Sequence, residues 1–340
     1  MNYVDLANKL ARIRIRHRLY EQTYRLAYAN LQIANGGDVI FLVGPSRVGK
    51  STLLAECIRD MFKGHHDERY IPYACVDASQ TNQGSISLKQ LWADFLAVLK
   101  HPAFTDSSYL PRHSHTEAAL RSIIARTLQA RRTALLAVDE AMPIFSSRSR
   151  GGPLAALDTL KCLGNETNVA IVICGDYTML DRCFLSAHLN GRMVVLEFPG
   201  YSTSKADSAD FNRILISIDS LLPWKSGQCL MSYRDLVYAG TAGCVGSIIK
   251  WAKLALAQMG AHERHRLTIA DFESSRRVAQ AESFHDLNQR RHLLKKMRTD
   301  MFESASPLPE EEAVRNTAPP GRRRPGQRSL TRDSVGVTPA

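Results

Sequence analysis

The chain has 340 residues, 44% of them hydrophobic, which is enough to bury one sizeable core and a smaller one. Its apolar runs are too short for a bilayer, no secretory h-region follows Met1, and the seven cysteines form no C-x-x-C pair, so we expect a cytoplasmic protein with free thiols and no membrane partner. The net charge of +11 is concentrated in residues 1–35 and 286–340, and basic ends on a nearly neutral body favour contact with nucleic acid over simple solubility.

The first predicted element is a helix over residues 5–31, because apolar side chains recur there at spacings of three, four and seven residues. The stretch RIRIRHR, residues 12–18, alternates as a strand does, which leaves the middle of this helix ambiguous. An Asn-Gly-Gly sequence at 35–37 tolerates a positive φ and ends the helix. We therefore predict a basic N-terminal helical segment over residues 1–35.

Short apolar runs then alternate with longer amphipathic segments. This pattern is typical of a parallel sheet covered by helices on both faces, and we place this α/β core at residues 36–203. The predicted strands are residues 39–44, 70–78, 133–141, 169–175 and 193–199, and the predicted helices between them are residues 49–62, 87–100, 116–130 and 154–164.

The sequence GPSRVGKS at residues 44–51 fits the phosphate-loop pattern G-x-x-x-x-G-K-[ST] in full. It lies between a predicted strand and a predicted helix, and this context favours a phosphate loop over a chance surface turn. Lys50 would reach the β- and γ-phosphates of ATP, and the Ser51 hydroxyl would ligate Mg²⁺. The residues expected to bind the nucleotide are Gly44, Pro45, Ser46, Arg47, Val48, Gly49, Lys50, Ser51 and Thr52.

Two adjacent acids, Asp139 and Glu140, end the strand predicted at 133–141. In a P-loop nucleotide hydrolase an acid at a strand end holds Mg²⁺, a role we assign to Asp139. A neighbouring carboxylate orients or deprotonates the attacking water, a role we assign to Glu140. Alone, such a pair is usually a solvated turn, but together with the phosphate loop it indicates hydrolysis rather than binding alone.

A basic loop, SSRSRGG at residues 146–152, follows these acids closely. Arg148 and Arg150 could each meet a DNA phosphate without contacting base edges, and Lys89, at the start of the second core helix, could join them. The alternative is that the loop balances the two acids or remains solvated.

Beyond Pro199 the pattern changes to helices alone, predicted at 206–222, 232–239, 244–260 and 268–284, and we place a small all-α lid at residues 204–285. Residues 286–340 form a basic extension that is rich in proline and charge from about residue 304. It has few apolar groups to offset the entropy of ordering, so we expect it to be largely disordered.

The phosphate loop, the VDEA strand end and a following four-helix segment together resemble AAA+ ATPases. More narrowly, NGRMVVLEFPGY (190–201), SLLPW (220–224) and TAGCVGSIIKWAKLALAQMG (241–260) are similar to transposon-encoded AAA+ regulators of the TnsC/TniB type. The resemblance covers about residues 36–285.

This resemblance implies a protein that assembles as rings or filaments on duplex DNA when ATP is bound. The assembly receives a target-selection protein of the TniQ type, recruits the transposase and is dismantled by hydrolysis. Arg192 occupies the place of an arginine finger that reaches a neighbouring subunit's nucleotide, and Arg182 is a second candidate.

Both sensor positions depart from the pattern of the family. Asp176 or Thr178 could replace the usual asparagine after the fourth strand. Gly246 or Ser247 stands near the place of the lid's sensor arginine, with Lys250 one turn later. Hydrolysis is therefore expected to be slow and stimulated by assembly, unless the lid only clasps adenine. The alternative functions are a replication initiator or loader ATPase, and an ATP-switched signalling or scaffold module without DNA.

Overall fold

Five parallel strands form one sheet. The computed structural model describes residues 2–65, 67, 69–78, 88–104, 115–145, 152–183, 193–275 and 288–292, all within the first of two units of the chain, Met1–Lys296. The strands are β1 (Val39–Val43), β2 (Tyr73–Asp77), β3 (Leu135–Asp139), β4 (Ala170–Gly175) and β5 (Met193–Glu197). Their order in space is β2-β3-β4-β1-β5, which confirms the predicted parallel α/β core.

The register aligns the carboxyl ends of the strands at one edge of the sheet. Val43, the last residue of β1, lies beside Gly175 of β4 and Glu197 of β5. Asp77 of β2 lies beside Asp139 of β3. Because parallel strands all run in the same direction, the segments that follow them emerge together at this edge, as in other open α/β sheets that bind ligands there.

Helices cover both faces of the sheet. Up to β5 the helices are α1 (Tyr3–Arg12), α2 (Arg18–Ile33), α3 (Lys50–Met61), α4 (Leu88–Val98), α5 (Glu117–Arg131), α6 (Met142–Phe145), α7 (Gly152–Thr167) and α8 (Thr178–Cys183). Neighbouring side chains of a strand point to opposite faces. Accordingly, Phe41 of β1 is buried among side chains of α4, α5 and α7, whereas Leu42 is buried among those of α2 and α3.

The single helix predicted over residues 5–31 is wrong, because the chain forms α1 and α2 on either side of residues 13–17. His17 caps α2: its Nδ1 accepts the N–H of Tyr20 at 3.3 Å and lies 2.9 Å from the hydroxyl of Tyr201. Burial lowers the pKa of His17 to about 4, so the ring stays neutral and can accept these bonds. The break therefore depends on a tertiary contact with Tyr201.

Helices follow β5, as predicted. They are α9 (Lys205–Asp219), α10 (Arg234–Thr241), α11 (Val245–Ala261) and a helical stretch at 269–275, with short 3₁₀ turns at Leu230–Tyr233 and, earlier in the chain, at Pro102–Phe104. Trp251 of α11 is fully buried in this cluster, and its indole N–H donates to the carbonyl of Phe272 at 2.9 Å. Leu6 and Leu10 place α1 in the same cluster. In the described part of the chain, none of the helices has the length and hydropathy needed to cross a bilayer.

Candidate functional site

The phosphate loop joins β1 to α3 through two left-handed residues. Arg47 has φ 61° and Gly49 has φ 112°, and Gly49 immediately precedes the first residue of α3. Such turns direct loop N–H groups towards a helix N-terminus, where anions are stabilised. The ammonium group of Lys50 donates to the carbonyls of Gly44 and Pro45 at 2.9 and 2.8 Å. The lysine is therefore held along the loop where phosphates would bind.

The two acids after β3 lie in different environments. Asp139 is only 9% exposed, whereas Glu140 is exposed and has φ 48°. The N–H of Glu140 donates to Asp139 Oδ1 at 2.9 Å, and the N–H of Ala141 donates to the carbonyl of Cys174 on β4 at 2.9 Å. This sharp turn separates a buried carboxylate, suited to a fixed role, from an exposed one.

A cavity of about 340 Å³ lies between the phosphate loop and the ends of β3 and β4. It brings together the predicted loop residues and Glu140, which are distant in sequence. Of the predicted nucleotide residues, Gly44, Pro45 and Val48 are buried and lie outside its lining. The lining residues are Ser46, Arg47, Gly49, Lys50, Ser51, Thr52, Glu140, Met142, Gly175 and Asp176.

The two candidates for the first sensor contact each other. Asp176 lines the cavity, and its Oδ1 accepts the N–H of Thr178 at 2.9 Å as well as the Thr178 hydroxyl. Nearby, burial, followed by the charge of Asp139, raises the pKa of the Cys174 thiol. The thiol is therefore protonated beside the buried acid. Of the two sensor candidates, Asp176 is the one that lines the cavity.

The first turn of α11 touches the phosphate loop. The N–H of Gly246 donates to the carbonyl of Arg47 at 2.9 Å, and a Cβ at position 246 would lie 2.2 Å from that oxygen. Glycine is therefore required for this approach. Arg47 and Gly246 also line a second groove of about 580 Å³ between α1 and α11, together with Lys250. Ser247 is buried in the same turn.

Several predicted residues lie outside the described residues: Arg192, Arg148 and Arg150. The backbone of Arg182 belongs to α8, but its side chain is also outside the described part. Lys89 lies in the first turn of α4 and is half-buried. The DNA and arginine-finger roles of these residues remain predictions.

A polar group at the end of β5 was not anticipated from the sequence. Glu197 accepts the hydroxyl of Tyr177 and the Nε–H of Arg290, each at 2.7 Å. Burial, followed by the charge of Glu197, raises the pKa of Tyr177. Arg290 belongs to residues 288–292, a helical piece of the extension predicted from residue 286. An acid as the last residue of an apolar strand was the available signal.

The residues at the cavity suit magnesium better than a transition metal. Ser51, Glu140, Asp176 and the adjoining Asp139 offer oxygen atoms only, which are the ligands that Mg²⁺ prefers. Within the described residues, no cluster of three or more His, Cys, Asp or Glu could hold a metal by itself. This is expected of Mg²⁺, which is usually held by one or two protein ligands together with substrate phosphates.

Comparisons with known proteins agree with this geometry. Residues 33–184 match the family model of the AAA domain. Among solved structures, the ORC2 protein of Aeropyrum pernix in ADPNP and ADP complexes is 16% identical, with a TM-score of 0.53 over 77% of this chain and 67% of that chain. A Walker-type ATPase of Pyrococcus abyssi is 16% identical, with a TM-score of 0.50 over 85% of each chain.

A further similar structure is Drosophila ORC bound to DNA, 14% identical, with a TM-score of 0.50 over 81% of this chain and 65% of that chain. At these identities the likeness concerns the fold. No curated protein matches the sequence. Residues 33–184 therefore form a P-loop ATPase domain of the AAA type, with structural neighbours among ORC proteins.

Proposed function

We propose that the chain hydrolyses ATP to ADP and phosphate in the cavity between the phosphate loop and the ends of β3 and β4. The observation that carries the proposal is that one cavity is lined by Lys50, Ser51, Glu140 and Asp176. Lys50 neutralises charge on the β- and γ-phosphates, and Glu140 orients and deprotonates the attacking water. Asp176, whose Oδ1 accepts the N–H and the hydroxyl of Thr178, can also accept a hydrogen bond from the attacking water.

Ser51 and Asp139 would hold Mg²⁺, which neutralises phosphate charge when bound. Glu140 is the better base of the two acids, because it is exposed to the cavity while Asp139 is buried and accepts the N–H of Glu140. Arg192, supplied by a neighbouring subunit, would stabilise charge in the transition state. Turnover would then depend on assembly.

We further propose that this ATPase regulates DNA transposition. The support is the resemblance of residues 190–201, 220–224 and 241–260 to regulators of the TnsC/TniB type. In this chain the segment 241–260 contains Gly246, which contacts the phosphate loop. Nucleotide binding at the loop could therefore change the position of α11. ATP-bound subunits would assemble on duplex DNA, receive a target-selection protein of the TniQ type and recruit the transposase.

A replication-initiator or loader function is the second candidate. The likeness to ORC structures favours it, including one that is bound to DNA. An ATP-switched scaffold without DNA is the third. The first two candidates share ATP-dependent contact with duplex DNA and differ in the partner that the assembly recruits.

Electron microscopy of the full chain with duplex DNA of random sequence and a slowly hydrolysed ATP analogue tests the proposal. Rings or filaments on DNA that disappear when ATP is supplied instead of the analogue are expected. Retention of a transposase on these assemblies would favour regulation of transposition over a replication-initiator function. Absence of any DNA retention at low salt would leave only the scaffold function.

The basic loop makes a separate quantitative prediction. If Arg148 and Arg150 meet phosphates, the paired substitution Arg148→Ala and Arg150→Ala should reduce the log–log salt slope of DNA binding by about two units per subunit. The loss should be similar for every duplex sequence, and ATP affinity without DNA should be unchanged. An unaltered slope would remove the loop from the DNA interface.

A further inference from the structure

Three chain segments meet at the amino ends of β2 and β3, whereas the cavity lies at the carboxyl ends of the strands. They are the turn before β2 and the carboxyl ends of α4 and α5. Arg131 joins them: its guanidinium donates to the carbonyls of Leu99, Lys100 and Arg69 at 3.1, 2.9 and 3.2 Å. Its own carbonyl accepts the N–H of Ile71 at 2.9 Å. One arginine therefore fixes the geometry of this surface.

Positive charge accumulates around this joint. We call the group the amino-end cluster; it consists of Arg69, Lys100, Arg126, Arg131 and Arg132. All but Arg131 are exposed, and the half-buried Arg131 lines a shallow cavity of about 390 Å³ together with Arg126. Among the described residues, the carboxylate that pairs with this cluster is that of Asp67.

Asp67 balances only part of this charge. It pairs with Arg69 at 2.8 Å, and the hydrogen bond from Arg69 is the main reason that its pKa lies below the usual value. Arg132 contributes a smaller effect in the same direction. Lys100, Arg126 and Arg131 have no carboxylate within ion-pair distance among the described residues, so the described side chains leave the cluster with a surplus of positive charge.

Two of the cations occupy backbone positions that usually favour glycine. Lys100 follows α4 with φ 54°, and Arg132 ends α5 with φ 51°. A left-handed backbone is unfavourable for a residue other than glycine. A cation at an exposed helix end interacts favourably with the helix dipole, which offsets part of this cost. Lys100 and Arg132 are therefore held at the carboxyl ends of α4 and α5.

An aromatic ring orients two of the guanidinium groups. The Cζ atom of Arg132 lies 4.3 Å from the ring centroid of Tyr70, and that of Arg69 lies 5.5 Å from it. Arg69 already donates to Asp67 through Nε and Nη2, at 3.0 and 2.8 Å. A guanidinium stacked on a ring keeps the N–H donors along its edge available, so those of Arg132 remain for another partner. These donors match the paired oxygens of a phosphodiester.

We propose that the amino-end cluster binds the sugar–phosphate backbone of duplex DNA. It would be a second DNA contact, separate from the loop that contains Arg148 and Arg150, and it rests on the DNA binding proposed above. Lys100, Arg126 and Arg132 present exposed positive charge on a fixed joint, which suits contact with phosphates without base recognition.

The test measures duplex binding by fluorescence anisotropy across a salt series, with the full chain and a slowly hydrolysed ATP analogue. Arg126→Ala combined with Arg132→Ala should lower the log–log salt slope by about two units. The charge-preserving pair Arg126→Lys and Arg132→Lys should retain most of the slope. Arg131 is left unchanged because it holds the joint together.

A matched control removes two exposed cations elsewhere, Arg213→Ala with Lys225→Ala, and should leave the slope unchanged. ATPase activity without DNA should be equal in all variants, which verifies folding. If the parent chain binds duplex DNA but the cluster and control variants behave alike, the cluster is not a DNA surface although the proposed function stands. If the parent chain does not bind duplex DNA at low salt, the DNA part of the proposed function fails as well.

Discussion

Left-handed residues other than glycine occur at both ends of the sheet, but in different surroundings. At the carboxyl end, Arg47 and Glu140 are left-handed, and both line the cavity beside the buried Asp139. At the amino end, Lys100 and Arg132 are left-handed and exposed, and neither lines the shallow cavity beside Arg131. The first arrangement directs charges towards a small volume, and the second presents charge to the solvent.

The difference predicts how strongly each end responds to substitution. Lys50 and Glu140 line the cavity where the phosphates would bind, so single changes at the carboxyl end should have large effects on chemistry. Exposed charges are screened, so changes at the amino end should be small individually and should depend on salt. The following variants compare the two ends, from the largest expected effect to the smallest.

The largest effect is expected at the catalytic acid and the loop lysine. Glu140→Gln should lower ATP turnover by about 10²-fold or more, because water activation is lost while nucleotide contacts remain. Lys50→Ala should instead abolish tight nucleotide binding. Phosphate release and binding of a fluorescent ATP analogue separate the two outcomes. Turnover by Glu140→Gln at the parent rate would refute the assignment of the acids.

An intermediate effect is expected where α11 meets the loop. Gly246→Ala places a Cβ 2.2 Å from the carbonyl of Arg47, so the 2.9 Å contact must open although alanine is the better helix former by about 1 kcal/mol. ATP affinity should fall by about tenfold. The control Gly227→Ala, at φ 81° with open space around it, should lose about 1 kcal/mol of stability without any change in ATP affinity.

Equal ATP affinities for the Gly246→Ala and Gly227→Ala variants would mean that α11 does not support the phosphate loop. Packing of α11 against the carboxyl end of the sheet would then have no influence on nucleotide binding.

The smallest effects concern the left-handed residues themselves. Lys100→Gly removes a strained backbone conformation and should stabilise the fold by about 0.5 kcal/mol with ATP affinity unchanged. Arg47→Gly gives the same backbone relief but removes a cation from the cavity, so ATP affinity should fall. Thermal unfolding with and without ATP measures both. A loss of ATP affinity in Lys100→Gly would contradict the separation of the two ends.

Local patterns predicted the elements of the core well. The continuous apolar runs of β1, β3 and β4 are buried at every residue, as strands between two helical layers must be. The phosphate loop was recognisable because its glycines, lysine and serine are contiguous. The acids after β3 were recognisable because they directly follow an apolar run.

Contacts between distant segments were not accessible in this way. Residues 5–31 have the periodicity of one helix, yet His17 ends that continuity through its contact with Tyr201. The pairing of Glu197 with Arg290 joins residues 93 positions apart. No local sequence pattern around Glu197 or Arg290 predicts that the two residues pair.

The sequence by itself therefore determined the α/β class, the strands and the phosphate loop, because periodicity and motif depend on residues within a few positions of one another. Only the tertiary structure decided that Glu140 shares a cavity with the loop, that Gly246 touches Arg47, and that four other cations gather around Arg131. These arrangements follow from the register of the sheet and the packing of helices against it, which bring together groups that the chain keeps far apart.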